Sequence, residues 1–349
     1  EVIEVLKKNN INYYESGIEH GTITAIIEGE KYEITSLRSD IVTDGRYAKV
    51  EFTKDWIKDA ERRDFTINSI YSDINGNLFD PFEGIQDLKN GKVVFVGNAE
   101  KRIKEDYLRI LRYIRFFLMY SKVIHDPKVI KAINKNLVGV SKISSNRLLD
   151  EFQKIFKTKN IEKIYQDKFC LETIKLLFPQ FKGINYLENI NQFSSKISSE
   201  IDFYFLLSLL TIDESDNAEY FIYKFNLSNK AKKRILNIKK FYFNKTNKNQ
   251  INIKNLWKIL YYYGREALDD ILNYKIYTSR RIDKNIRNYV EYFKNKEIPK
   301  LPITGDDLMQ KFNIKEGKKI GENLKLIENF WLNNEFKITE DQINKLIKN

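Results

Sequence analysis

Cysteine is almost missing from this chain. Its 349 residues contain one, Cys170, which excludes an intrachain disulfide framework and any multi-cysteine metal site; in a reducing cytoplasm no disulfide-linked partner is expected. Histidine is nearly as scarce, and His20 and His125 leave little room for a His-ligated metal. His20 reads as a residue that bonds the turn backbone before Gly21, and His125 as a helix-end residue before Asp126-Pro127. No run of 18 apolar residues exists, so no membrane span is expected, and no secretory signal is legible. With 14 Gly and 5 Pro the composition is neither collagen-like nor that of a disordered linker. These absences predict a globular protein of a reducing cytoplasm.

What is abundant is charge, at 31% of residues, with aromatics at 13%. The net charge is +12, unevenly spread. Residues 1–97 hold 12 Lys and Arg against 18 Asp and Glu, a net of −6, and the remainder carries +18. An acidic front suggests metal-site carboxylates, and a basic rear suggests a surface for a polyanion. A Lys-rich surface selected for solubility would look the same.

The front reads as strands, the rear as helices. Thr22 to Glu28 and Tyr32 to Leu37 alternate as strands around Gly29-Glu30. Ser36 to Gly45 reads as loop and Trp56 to Arg62 as a short helix. Phe65 to Ser72 and Leu78-Phe79 read as strands joined across Asn75-Gly76, and Val93 to Val96 as a last short strand. From Lys101 onward almost every segment has helical periodicity. Helices are expected from about Ser198, Asn229, Leu256, Asp283, Gly305, Lys319 and Glu340. Pro299 and Pro302 mark a linker before the last of these segments.

Two motifs carry chemistry. In a helix spanning 105–112, Glu105, Arg109 and Arg112 fall on one side with Asp106 beside them. Tyr107, Leu108, Ile110, Leu111 and Ile114 fill the other. Such a helix holds a carboxylate and a guanidinium one turn apart. The Watson–Crick edges of C and A pair an amino donor with a ring-nitrogen acceptor. Asp106 can accept from the amino group and Arg109 can donate to the ring nitrogen, whereas U and G present the opposite order. An ordinary i, i+3 salt bridge is the competing reading. The second motif is Arg62-Arg63-Asp64-Phe65-Thr66-Ile67-Asn68. Arginines suit phosphate, and Asp64 and Asn68 suit ribose hydroxyls. Surface salt-bridging competes here too.

Taken with Asp80-Pro81-Phe82, Asp87-Leu88, Gly21-Thr22, Tyr32 to Arg38, Gly45 to Phe52, Gly97 to Arg102 and Leu301 to Gly305, the pattern resembles the class II tRNA nucleotidyltransferases. These are the CCA-adding enzymes, close relatives of the bacterial poly(A) polymerases. The resemblance is dense over 15–160 and sparse over 161–295. It implies an α+β chain: a polymerase-β-type nucleotidyltransferase head, incomplete here, then an all-α neck, body and tail. The expected divisions are head 1–97, neck with template helix 98–160, body 161–295 and RNA-binding tail 296–349.

It further implies addition of C, C and A to tRNA 3′ ends from CTP and ATP with Mg²⁺. Arg63 and Asp64 would meet triphosphate and ribose, and Asp106 and Arg109 would be the protein template. Arg112 and Arg115 would hold phosphates or brace that template. Arg46 and Tyr47 would lie in a flexible loop, where the family more often has His at the position of Tyr47. Glu33 would be the acidic residue following the family's metal-binding pair. The pair itself, Asp-x-Asp, is missing, for no two aspartates are spaced i, i+2. The family's Gly-Gly phosphate motif is missing too. Both would sit shortly before residue 1, and the opening in mid-helix reads as a chain lacking its first few dozen residues. The competing readings are a bacterial poly(A) polymerase and a noncatalytic RNA-binding relative.

Overall fold

Alternation builds the first sheet. In β2 (Thr22–Ile27) Ile23 and Ala25 point inward and pack on Leu6 of α1 (Val2–Lys8). β1 (Asn12–Tyr14) and β3 (Glu30–Thr35) flank β2, both antiparallel. The β2–β3 turn is Glu28-Gly29, both at positive φ (53° and 84°), the conformation that joins twisted strands in two residues. The structure is a computed structural model that describes residues 1–349 other than 16, 19, 20, 45, 46, 159, 160, 195–200, 244–250, 282 and 349.

Four sequence expectations give way here. The segment expected as loop over Ser36 to Gly45 is largely strand: β4 (Arg38–Asp44) pairs with β5 (Tyr47–Phe52). Its β-branched run Ile41-Val42-Thr43 outweighs the charges around it. The expected strand from Phe65 to Ser72 forms only at its ends. Phe65 makes a single bridge to Phe95, a 3-10 turn follows at Thr66–Asn68, and β6 is just Tyr71–Ser72, paired with β7 (Leu78–Phe79). Side-chain bonds from Asn68 to Asp64 and from Ser69 to the Thr66 carbonyl (2.8 and 2.7 Å) compete with a ladder there. For the same reason Val93 to Val96 contributes that one bridge and no strand.

The fourth concerns the helix expected across 105–112. α2 (Trp56–Glu61) and α3 (Gly84–Asn90) precede α4 (Ala99–Glu105), and α4 stops at Glu105. Asp106 is extended (φ −152°, ψ 107°), and α5 (Arg109–Tyr120) begins three residues later. Asp106 causes the break: its Oδ1 accepts from the Leu108 amide at 3.1 Å and its carbonyl from the Arg109 amide at 3.0 Å. α5 is amphipathic as expected, burying Ile110, Leu111, Tyr113, Ile114, Phe116 and Leu118. α6 (Pro127–Asn136), α7 (Ser145–Phe156), α8 (Lys163–Gln166) and α9 (Lys168–Leu177) complete a first compact unit, residues 1–179.

The second unit, residues 180–349, is helical. It contains α10 (Leu187–Ser194), α11 (Phe203–Thr211), α12 (Asn217–Lys224), α13 (Asn229–Phe243) and α14 (Ile253–Thr278). After these come α15 (Lys284–Phe293), α16 (Gly305–Phe312), α17 (Lys318–Asn333) and α18 (Glu340–Lys348). α11 is apolar nearly all round and sits in the core. α14 kinks at Gly264 (φ 83°, ψ −179°), a backbone conformation that only glycine adopts freely. Ile303, Leu308, Ile327 and Ile343 close a smaller core around α16 to α18. No helix among the described residues is long and apolar enough to cross a membrane.

Candidate nucleotide site

The site forms around α5, whose three arginines each find a different carboxylate. Arg109 Nη1 donates to Glu105 Oε2 at 2.7 Å, Arg112 Nε to Asp64 Oδ2 at 2.5 Å, and Arg115 Nε to Glu151 Oε1 at 2.5 Å. Partners so different follow from geometry, since successive steps of three residues rotate the side chain around the helix.

Asp64 is placed by its neighbour. Phe65 is fully buried against Phe95 and Phe116, with ring centroids 4.7 and 5.3 Å away, and the Val96 amide donates to the Asp64 carbonyl at 3.1 Å. With the backbone so fixed, the carboxylate accepts from the Phe65 amide (3.0 Å), Asn68 Nδ2 (2.8 Å) and Arg112. Burial alone would raise its pKa. Arg112 and Asn68 outweigh burial and hold it below the usual carboxylate range. Asp64, Asn68 and Arg112 are therefore brought together, and Asn68 gives an amide hydrogen to Asp64.

Asp106 and Arg109 do not pair with one another. Asp106 Oδ2 accepts from Arg147 Nη2 of α7 at 2.7 Å, and Arg109 is held by Glu105, by the Arg102 carbonyl (2.8 Å) and by the Arg62 carbonyl (3.4 Å). An i, i+3 bridge is thus not what these two residues make. Each is fixed separately, and the helix break between α4 and α5 sets the carboxylate off from the guanidinium. Glu105 stays ionised against its burial because Arg102 and Arg109 bond it.

Arg63 donates through Nη2 to Asp59 Oδ2 at 3.0 Å, and its side chain is 38% exposed. Glu33 is exposed on β3 opposite Thr24, and among the described residues it makes no ion pair. Tyr47 opens β5, and Arg46 lies outside the described residues. Asp80 and Asp87 have structural partners. Asp80 accepts from the Gly84 and Ile85 amides at the start of α3 (both 2.8 Å), and Asp87 accepts from Thr66 Oγ1 (2.8 Å). His125 is buried. Its Nε2 faces Asp167 at 3.1 Å and its Nδ1 faces the Tyr113 hydroxyl at 2.9 Å, with Cys170 Sγ at 3.8 Å. The Asp167 carboxylate also accepts the Cys170 amide at the start of α9 (2.8 Å), so this group reads as a satisfied polar brace.

Three residues of the site escape a local reading of the sequence: Asp59, Glu151 and Arg147, the last 41 residues from the Asp106 that it bonds. Asp59 stands three and four positions before Arg62 and Arg63, a helical ion-pair spacing that is the one available signal. Glu151 is 36 residues from Arg115 and has no local signal.

Residues 1–94 match the family model for the poly(A) polymerase head domain. Residues 195–347 match that for tRNA nucleotidyltransferase domain 2, and 125–184 that for an RNA and SrmB binding site of polymerase A. The human mitochondrial CCA tRNA nucleotidyltransferase 1 is 34% identical, over 95% of this chain and 76% of its own. The CCA-adding enzyme of Staphylococcus haemolyticus is 29% identical, over 95% of this chain and 83% of its own. Among solved structures, the Bacillus stearothermophilus CCA-adding enzyme in complex with CTP superposes with a TM-score of 0.71 at 21% identity. That match covers 97% of this chain and 83% of that one. The Thermotoga maritima enzyme complexed with tRNA gives a TM-score of 0.59, also at 21% identity, over 99% of this chain and 83% of that one. At that identity the likeness establishes the fold.

Proposed function

This chain belongs to the CCA tRNA nucleotidyltransferase family, and from that premise we propose that its function is the template-independent addition of C, C and A to tRNA 3′ ends. CTP and ATP are the substrates. The 3′ hydroxyl oxygen of the tRNA attacks the α-phosphorus, the bond to the β-phosphate oxygen breaks, and pyrophosphate leaves. The residues in hand supply nucleotide selection. The observation that carries this reading is that Asp64, Asn68 and Arg112 converge on one side of α5 while Arg109 is held by the Arg62 carbonyl. Arg63 and Arg112 take the phosphates, Asp64 and Asn68 the ribose hydroxyls, Asp106 and Arg109 the base edge, and Arg115 braces α5 through Glu151. Arg46 and Tyr47 take part in the switch from C to A, Tyr47 from the start of β5. The basic helices hold the tRNA by its phosphates and shape.

Mg²⁺ is the cofactor we assign, and the cytoplasm the compartment. Two-metal phosphoryl transfer needs several bridging oxygens. Glu33 offers one carboxylate, and these 349 residues contain no Asp-x-Asp, so this donor set does not by itself fit a two-metal centre. Residues 1–349 assayed alone should therefore incorporate no CMP. Metal-dependent incorporation by them would relocate the metal site.

Competition binding tests the reading without requiring catalysis. CTP and ATP should exclude one another from a single site, with UTP and GTP at least about tenfold weaker. Binding of ATP alone would point to a poly(A) polymerase. Binding of tRNA with no nucleotide would point to a noncatalytic RNA-binding relative.

A further inference from the structure

Among the described residues of the first unit, Asp59 is the most heavily bonded carboxylate. Its side chain is 1% exposed. Oδ1 accepts from Arg62 Nε at 2.9 Å and from the Arg38 amide at 3.1 Å; Oδ2 accepts from Arg63 Nη2 at 3.0 Å and from the Tyr71 hydroxyl at 2.8 Å. The donors come from three places. Arg62 and Arg63 follow α2, Arg38 opens β4 at the root of the β4–β5 hairpin, and Tyr71 opens β6. The Arg62 carbonyl in turn accepts from Arg109 Nη2 at 3.4 Å. A buried carboxylate left with fewer donors would be costly, so this one holds all of its partners to one geometry. Burial would raise its pKa, yet Tyr71, Arg38, Arg62 and Arg63 together hold it at about 2.

We infer that Asp59 is a positioning residue of the nucleotide site, which orients Arg63 for a triphosphate and ties the arginine pair to the root of the β4–β5 hairpin. The inference rests on the assignment of Arg63 to phosphate made above. Asp59 itself touches no nucleotide. It works by bonding a guanidinium that is 38% exposed and lies over the Tyr71 ring, so that the phosphates meet a donor already in place. Because the Arg38 amide shares the same carboxylate, a load on the arginines is felt at the hairpin root.

Inorganic tripolyphosphate is the probe, since it presents the triphosphate without base or ribose. Its affinity is measured by calorimetry beside that of CTP and UTP, and exchange of the Arg38 amide is followed with and without it. Asp59→Asn should weaken tripolyphosphate and CTP alike by about tenfold, leave the CTP to UTP ratio unchanged, and abolish the slowing of Arg38 exchange that the ligand causes in the parent chain. Tyr71→Phe removes one donor without touching charge and should give a smaller loss in the same direction, which keeps the test alive if Asp59→Asn folds poorly. Equal or tighter tripolyphosphate binding by both variants would overturn the inference, since Asp59 would then merely offset cationic charge. So would ligand-dependent slowing at Arg38 that survives in Asp59→Asn. Arg63→Ala separates the two failures. If it also leaves tripolyphosphate binding intact, the phosphate assignment falls and Asp59 with it. If it weakens binding and Asp59→Asn does not, Asp59 alone is overturned.

Discussion

Asp106 and Arg109 make separate contacts, so each can be removed without releasing the other. On the proposed assignment, Asp106→Ala removes the acceptor for the amino group of C and A, and Arg109→Ala the donor to their ring nitrogen. Each should cost about 1–3 kcal/mol of preference for CTP and ATP over UTP and GTP, read as a ratio of dissociation constants. Asp64→Ala acts on another part of the nucleotide. The preference for CTP over dCTP should collapse while base preference survives. If Asp106→Ala and Arg109→Ala weakened all four nucleotides equally, the segment would be a brace and no template. At this scale the sequence is informative about residue type and poor about partners. Glu105 with Arg109 is legible as an i, i+4 pair, whereas Arg147 reaches Asp106 from 41 residues away and no local pattern announces it.

At the scale of elements, the hidden feature is the stop between α4 and α5. Periodicity runs through Glu105 to Arg112 without a glycine or proline to interrupt it, so an unbroken helix is the natural expectation. What breaks it is a side chain bonding its own backbone, a competition invisible to periodicity. The Phe65 to Ser72 segment fails as a strand for the same kind of reason, while the β2–β3 hairpin, α5 and the helices from Asn229 onward follow their patterns. Gly84 shows how tightly the elements seat. A Cβ there would lie 2.2 Å from the Thr66 carbonyl oxygen, because α3 packs directly beneath the 3-10 turn that follows Asp64. Gly84→Ala should destabilise the first unit by about 1–3 kcal/mol and loosen Asp64, which chemical denaturation and dCTP discrimination would record together.

The joint between α5, α6 and α9 carries a pH dependence. Burial lowers the pKa of His125 below 6.5 against the opposing pull of Asp167, so the folded protein favours the neutral ring. With Nε2–H given to Asp167, Nδ1 accepts from the Tyr113 hydroxyl. A depressed histidine pKa means the unfolded chain takes up the proton first. Its contribution is fully present above about pH 6.5 and is lost as pH falls below that value. Thermal melts between about pH 7.5 and 5.5 should show a falling midpoint, and His125→Asn should flatten the slope whatever it does to the midpoint itself. An unchanged slope would assign the pH dependence to carboxylates instead.

At the scale of the whole molecule, the charge asymmetry decides what kind of surface meets the tRNA. Residues 98–349 carry a net +18 and residues 1–97 a net −6, so an RNA phosphate backbone is drawn to the helical part and repelled by the acidic front. Binding through phosphates releases counterions, and its affinity falls with the logarithm of salt concentration in proportion to the number of contacts. For six or more contacts the loss between about 50 and 200 mM salt is on the order of a thousandfold. The chain should therefore bind tRNA tightly at low salt and lose affinity on that scale, as filter binding or fluorescence anisotropy would record. Nucleotide binding should change far less, because the triphosphate meets only a few cations and the base is read by hydrogen bonds. A tRNA affinity as indifferent to salt as that of CTP would mean that shape and stacking, not the basic helices, hold the RNA.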